Sequence, residues 1–144
     1  MELIIGSDHG GYELKEKLKG YLSKKGVAII DVGTKSQESC DYPDIAKKGA
    51  RKVLEKKCLG ILICGTGIGI SIAANKIKGI RAALCYNEYT SKMAREHNDA
   101  NILCLGGRTT LVENAKKIVD VFLNTSASLE ERHKKRVNKI CKLE

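Results

Sequence analysis

Strand-like and helix-like segments alternate along the whole chain, and that alternation restricts the fold more than any other feature. Leu3–Ser7, Val27–Val32, Leu59–Cys64, Arg81–Cys85 and Ile102–Leu105 are short, apolar and rich in branched residues. That is the composition of strands covered on both faces. The segments between them carry helical periodicity. Tyr12–Lys25 puts Leu14, Leu18, Tyr21 and Leu22 on one face, and Gly26 suits a left-handed cap. Pro43 fits the first turn of a second helix whose core face is Ile45, Ala46, Gly49, Ala50, Val53 and Leu54. Ile68–Lys76 and Glu88–His97 read as the next two helices. Thr110-x-x-Glu113 reads as a capping box opening a helix to about Leu123, and Ser128-x-x-Glu131 as a second opening a last helix to about Leu143. Repeated β-α units of this kind imply a parallel sheet with helices on both faces. The expectation is an α/β fold with three layers, α/β/α and Rossmann-like. It has a five-stranded parallel sheet and an extra C-terminal helix, in one domain over 1–144.

Composition narrows the function. No apolar run approaches the ~20 residues of a membrane span. The N-terminus runs straight into Leu3-Ile4-Ile5 with no basic region or cleavage site, so the expected location is cytoplasmic. The cysteines (Cys40, Cys58, Cys64, Cys85, Cys104, Cys141) form no C-x-x-C pair, and several fall inside strands or helices, which points to free thiols. His9, His97 and His133 are far apart in sequence, so no metal site is expected. The net charge of +9 raises nucleic acid as a partner. The lysines spread over helix faces, however, and one Phe with no Trp offers little for base stacking. A solvated lysine-rich surface accounts for the charge, so neither nucleic acid nor membrane is the expected partner.

In sheets of this type ligands bind beyond the carboxyl ends of the strands. The first strand ends in Ser7-Asp8-His9, the third in Cys64 and Gly65, Gly67 and Gly69, and the fifth in Gly106-Gly107-Arg108. A thiol thus sits where a strand hands over to a helix, beside a loop of backbone N–H groups suited to an anion. Taken alone, a buried cysteine and a tight glycine turn read equally well as structure. The dinucleotide fingerprint fails because position 70 is Ile, and no Lys-Ser/Thr follows for a P-loop. An acid, an imidazole, a thiol, an anion-holding loop and a guanidinium on one rim favour a site.

Six motifs follow one another along the chain: Gly6-Ser-Asp-His-Gly-Gly11, Asp41-Tyr-Pro43, Ile63-Cys-Gly-Thr-Gly-Ile-Gly-Ile-Ser-Ile-Ala-Ala-Asn75, Gly79-Ile-Arg-Ala82, Arg95-Glu-His-Asn-Asp99 and Arg132-His-Lys-Lys-Arg136. In order and spacing, nearly end to end, they resemble the ribose-5-phosphate isomerase B family of sugar-phosphate isomerases. The resemblance implies interconversion of ribose 5-phosphate and ribulose 5-phosphate through a cis-enediolate, with no metal or organic cofactor. It implies Cys64 as the base, His97 in opening the furanose ring, and Thr66 bonding the thiolate or a sugar hydroxyl. The amides of Gly65, Gly67, Ile68 and Gly69 would face the enediolate. Asp8 and Asn98 would hold hydroxyls, and Tyr42 joins the substrate-binding set. Arg132 and Arg136, at i and i+4 on one helix face, would take the phosphate with His9 and Arg108. They are preferred over His133 for that task, with Leu129, Val137 and Ile140 along the adjacent apolar stripe.

Some relatives use a glutamate base after the glycine loop, but residues 70–76 contain no acid here. Relatives acting on galactose 6-phosphate or allose 6-phosphate are the alternative, and a non-catalytic sugar-phosphate-binding module a further one. Topology adds one more expectation. His97 ends a helix that descends to the lower edge of the sheet, while Cys64, Asp8 and His9 lie at the upper edge. A strand of five residues spans roughly 17 Å, too far for a side chain to cross. A homodimer with shared active sites, or a tetramer built from such dimers, would bring the two groups together.

Overall fold

The computed structural model describes residues 1–144. The elements run β1 (Glu2–Ser7), a 3₁₀ turn (His9–Gly11), α1 (Tyr12–Lys24), β2 (Ala28–Asp31), α2 (Tyr42–Lys56), β3 (Leu59–Cys64), α3 (Ile68–Ala74), β4 (Ala82–Leu84), α4 (Glu88–Asn98), β5 (Ile102–Gly106), α5 (Val112–Asn124) and α6 (Glu131–Cys141). All neighbouring strands pair parallel, in the order β2-β1-β3-β5-β4. The three central strands are buried and the two edge strands are short, as the expected three-layer architecture requires.

Strand alternation divides the core. Leu3, Ile5, Ile61, Ile63, Leu103 and Leu105 face α1, α4 and α5, where they meet Leu14, Leu18, Leu22, Ile118, Val119 and Phe122. Ile4, Leu62, Cys64, Ile102 and Cys104 face α2 and α3, against Ala46, Ala50, Val53, Ile70 and Ala74. Cys64 therefore ends β3 on the α2/α3 side. Small residues let α2 lie close to the sheet: a Cβ on Gly49 would come within 2.7 Å of the Leu62 side chain. No helix is long and apolar enough to cross a membrane.

The structure corrects several local expectations. Neither expected capping box forms. Thr109 and Thr110 both donate backbone N–H groups to Gly106 O, so Thr110 is absorbed into the turn that ends β5. Leu111 then precedes α5 without a side-chain cap. Ser128 Oγ accepts from Glu130 N (3.2 Å), a local turn, and α6 begins only at Glu131. The box that does form is Asn87 with Thr90 at the start of α4. Leu54 and Leu129 are exposed rather than core, and the residue α6 buries is His133. Gly26 does adopt the left-handed conformation (φ 78°), and Pro43 does sit in the first turn of α2.

Candidate active site

At the carboxyl edge, the Cys64 thiol is buried, and its Sγ accepts the Gly67 N–H at 3.2 Å. That bond depends on Gly67 at φ 79°, where a Cβ would strike Leu84 and the Leu105 backbone. Thr66 Oγ1 accepts from Ile68 N (3.3 Å). The N–H groups of Gly65, Thr66 and Gly69 have no acceptor within the chain, so they are free to face an anionic ligand. The Gly67 and Ile68 amides, expected to join them, are already used. The Arg108 guanidinium lies across Gly65, 3.1 Å from where a Cβ would be, and forms no ion pair. Tyr42 lies over Gly69, with ring atoms 2.5–2.8 Å from a Cβ position there. A Cβ at position 69 would displace the Tyr42 ring, and one at position 65 would crowd the Arg108 guanidinium.

Asp8 is buried and caps the 3₁₀ turn, Oδ1 accepting from Gly11 N at 3.2 Å. His9 Nδ1 accepts from Cys40 N at 3.2 Å, which leaves the neutral ring's proton on Nε2. That contact comes from the segment between β2 and α2, for which the sequence offers no periodic signal. The segment is held at its other end by Lys15, whose buried ammonium binds Asp31 Oδ2 and Thr34 O, both at 2.7 Å.

The remaining expected residues lie elsewhere. His97 and Asn98 end α4 just before β5, at the amino edge of the sheet, so the length of β5 separates them from Cys64. His97 stacks on His133, ring centroids 4.1 Å apart and planes within 9°. Arg132 and Arg136 are exposed on the same helix as His133. Arg132 binds Glu130 at 2.7 Å, and Arg136 has no partner. One chain thus builds two half-sets, not one pocket. Exposed Ile68, Ile72, Leu84 and Tyr86 flank the Cys64 loop. No three His, Cys, Asp or Glu side chains gather as metal ligands.

In the sequence His133 stands between two arginines better suited to a phosphate, and its burial and stacking arise only in three dimensions. Burial, then the neighbouring His97 and Arg132, lower its pKa from the ordinary histidine value. A histidine of depressed folded pKa binds protons more readily when unfolded, so its contribution is lost as pH falls through the ordinary value near 6.5. His133→Phe keeps a flat ring without a titrating group. The expected result is a smaller fall in Tm between about pH 7.5 and 5.5 than in the parent protein. An identical fall in both would remove His133 from the acid response.

Comparison with known proteins places the chain in a family and matches its fold. The family model described as Ribose/Galactose Isomerase matches residues 3–140. Ribose-5-phosphate isomerase B of Escherichia coli (strain K12) is 44% identical over 144 residues, covering 99% of this chain and 96% of that protein. The solved structure of Clostridium thermocellum ribose-5-phosphate isomerase B superposes with a TM-score of 0.96 at 52% identity, covering 99% of this chain and 97% of that one. Trypanosoma brucei type B ribose 5-phosphate isomerase gives 0.94 at 46% identity, covering 99% and 98%. A match of this extent, with a thiol and a free amide loop at the head of the central strand, means that the chain belongs to the ribose/galactose isomerase family of sugar-phosphate isomerases.

Proposed function

We propose that the enzyme interconverts ribose 5-phosphate and ribulose 5-phosphate, with Cys64 as the base that moves the proton between C2 and C1. The observation that carries the reading is the Cys64 sulfur at the head of β3, held by the Gly67 N–H beside unoccupied loop amides. As thiolate, Cys64 takes the proton from C2 of the open-chain aldose, and the C1 carbonyl oxygen becomes an enediolate oxygen. The free amides of Gly65, Thr66 and Gly69 face that charge; one such donor is worth about 2.7–4 kcal/mol. The O2 proton passes to O1, Cys64 returns its proton to C1, and the ketose results. Before this, His97 opens the ring by relaying the O1 proton to the ring oxygen, so that the bond from C1 to the ring oxygen breaks as the C1 carbonyl forms. Thr66, Asp8, Tyr42 and Asn98 contact the sugar, and His9, Arg108, Arg132 and Arg136 take the phosphate.

These groups come from opposite edges of the sheet, so the active unit is a homodimer in which each site combines the carboxyl edge of one subunit with the amino edge of the other. The exposed apolar side chains beside the loop support docking of a second copy there. No protein group calls for a metal or organic cofactor in this scheme.

A turnover panel of ribose 5-phosphate, allose 6-phosphate and galactose 6-phosphate tests the reading. Ribose 5-phosphate is expected to give the highest kcat/KM. A higher value for either hexose phosphate would reassign the substrate, and binding without turnover of any would mean a sugar-phosphate-binding module.

Arg136→Ala is expected to raise KM for ribose 5-phosphate with little change in kcat, because phosphate binding is shared by ground and transition states. Any weak turnover of free ribose would stay unchanged. Equal losses on both sugars would take the phosphate role from Arg136.

A further inference from the structure

The turn that follows His97 and Asn98 is held more elaborately than a helix end requires. Asp99 lies in the left-handed region (φ 45°, ψ 45°), a conformation that glycine adopts without strain. Its carboxylate is shared by two arginines: Arg81 Nη2 donates to Oδ2 at 3.1 Å and Arg95 Nη1 to Oδ1 at 2.9 Å. Arg81 Nε also donates to Asn98 O (3.2 Å) and Asp99 O (2.9 Å), and Nη1 reaches Cys141 Sγ on α6 at 3.7 Å. Arg95 further donates to Ala100 O (2.6 Å) and to Thr125 O (3.1 Å) at the end of α5. Both guanidinium side chains are largely buried, 18% and 12% exposed. The backbone is tied as well: Ser128 N donates to Glu96 O at 2.9 Å, and Arg81 N to Asn101 Oδ1 at 2.8 Å.

This network joins the start of β4, the end of α4, and the chain leading into α6. These are the elements that must keep register if His97 and Asn98 are to work beside Arg132 and Arg136. A glycine at 99 would relieve the backbone but would release both arginines, so the carboxylate has a reason to be there. We propose that Arg81, Arg95 and Asp99 are positioning residues for the isomerisation. They act through His97 and Asn98, whose part in the reaction rests on the function proposed above.

A mutant cycle on the full-length enzyme tests this, with kcat/KM for ribose 5-phosphate as readout. Arg81→Met alone is expected to lower it by about 10-fold or more, since small misplacements of reacting groups are costly. In a His97→Ala/Asn98→Ala background, whose residual turnover is fed by spontaneously opened sugar, the same change is expected to cost under about 2-fold. Equal losses in both backgrounds would mean that Arg81 acts by general stability, and would overturn the inference. If His97→Ala/Asn98→Ala itself retains full activity, the roles proposed for those residues fall, and the inference with them. Asp99→Asn, which keeps the shape and tolerates the left-handed region, carries the same cycle if Arg81→Met does not fold.

Discussion

Cys64→Ser is expected to fold as the parent does and to lose nearly all isomerisation. The side chain is buried, and serine offers the Gly67 N–H an acceptor in the same place, so little changes in packing. What changes is basicity: a hydroxyl does not deprotonate usefully near neutral pH. General-base catalysis contributes about 10²–10⁴-fold, and the loss in kcat is expected in that range. Steady-state kinetics alongside a melting curve separate the two effects. Near-wild-type kcat in the purified variant would remove Cys64 from the role of base. The other buried thiols are no substitute. Burial pushes Cys85 up to about 11 and Cys104 higher still, so both stay protonated at neutral pH.

Gly67→Ala is expected to be the second most damaging change, although it adds a single methyl. Gly67 holds φ at 79°, where an L side chain is strained by roughly 1–2 kcal/mol. The new Cβ would lie 2.6 Å from Leu84 Cδ1 and 2.8 Å from the Leu105 carbonyl carbon. Leu84 can turn aside, but the β5 backbone is fixed by pairing with β3 and β4. The loop must therefore move, taking the Gly67 N–H from Sγ and shifting the free amides. A displacement near 1 Å at reacting groups can cost about 10²-fold, and a loss of that order in kcat is expected, with a lower Tm. Gly20→Ala is the matched control. It lies inside α1 with nothing within 4 Å of a Cβ, so it is expected to leave activity intact and to raise Tm slightly. Full activity in Gly67→Ala would show that the loop does not need this geometry.

The periodic parts of the sequence translated directly. Leu3, Ile4 and Ile5 on β1, and Ile61, Leu62 and Ile63 on β3, occupy alternate faces as apolar runs of buried parallel strands do. The rim carrying Asp8, His9, Cys64 and Arg108 followed from the rule that loops after strand ends build sites. Failures came where local chemistry had competitors. Thr110 has the residue type of a helix cap, but the Gly106 carbonyl captures its N–H first. Leu129 fits an apolar stripe by spacing, yet the helix starts two residues after it and leaves it exposed.

Long-range pairings left no local signal. The Cys40 N–H on His9, the His97–His133 stack and the Arg81–Asp99 bond join residues far apart in sequence, through side chains without periodicity. The separation of His97 from Cys64 was legible, because the direction of each element follows from parallel connectivity alone.

Subunit exchange tests whether the two separated half-sets meet across a dimer. Cys64→Ala and His97→Ala proteins, each reduced to residual activity alone, are mixed under conditions of subunit exchange, and native mass spectrometry follows the formation of mixed dimers. In a mixed dimer one site receives both mutations and the other receives neither. Random exchange makes about half the dimers mixed, so activity is expected to return to roughly a quarter of wild type. No recovery, with mixed dimers present in the spectrum, would mean that Cys64 and His97 do not meet across two subunits, and would contradict the shared site.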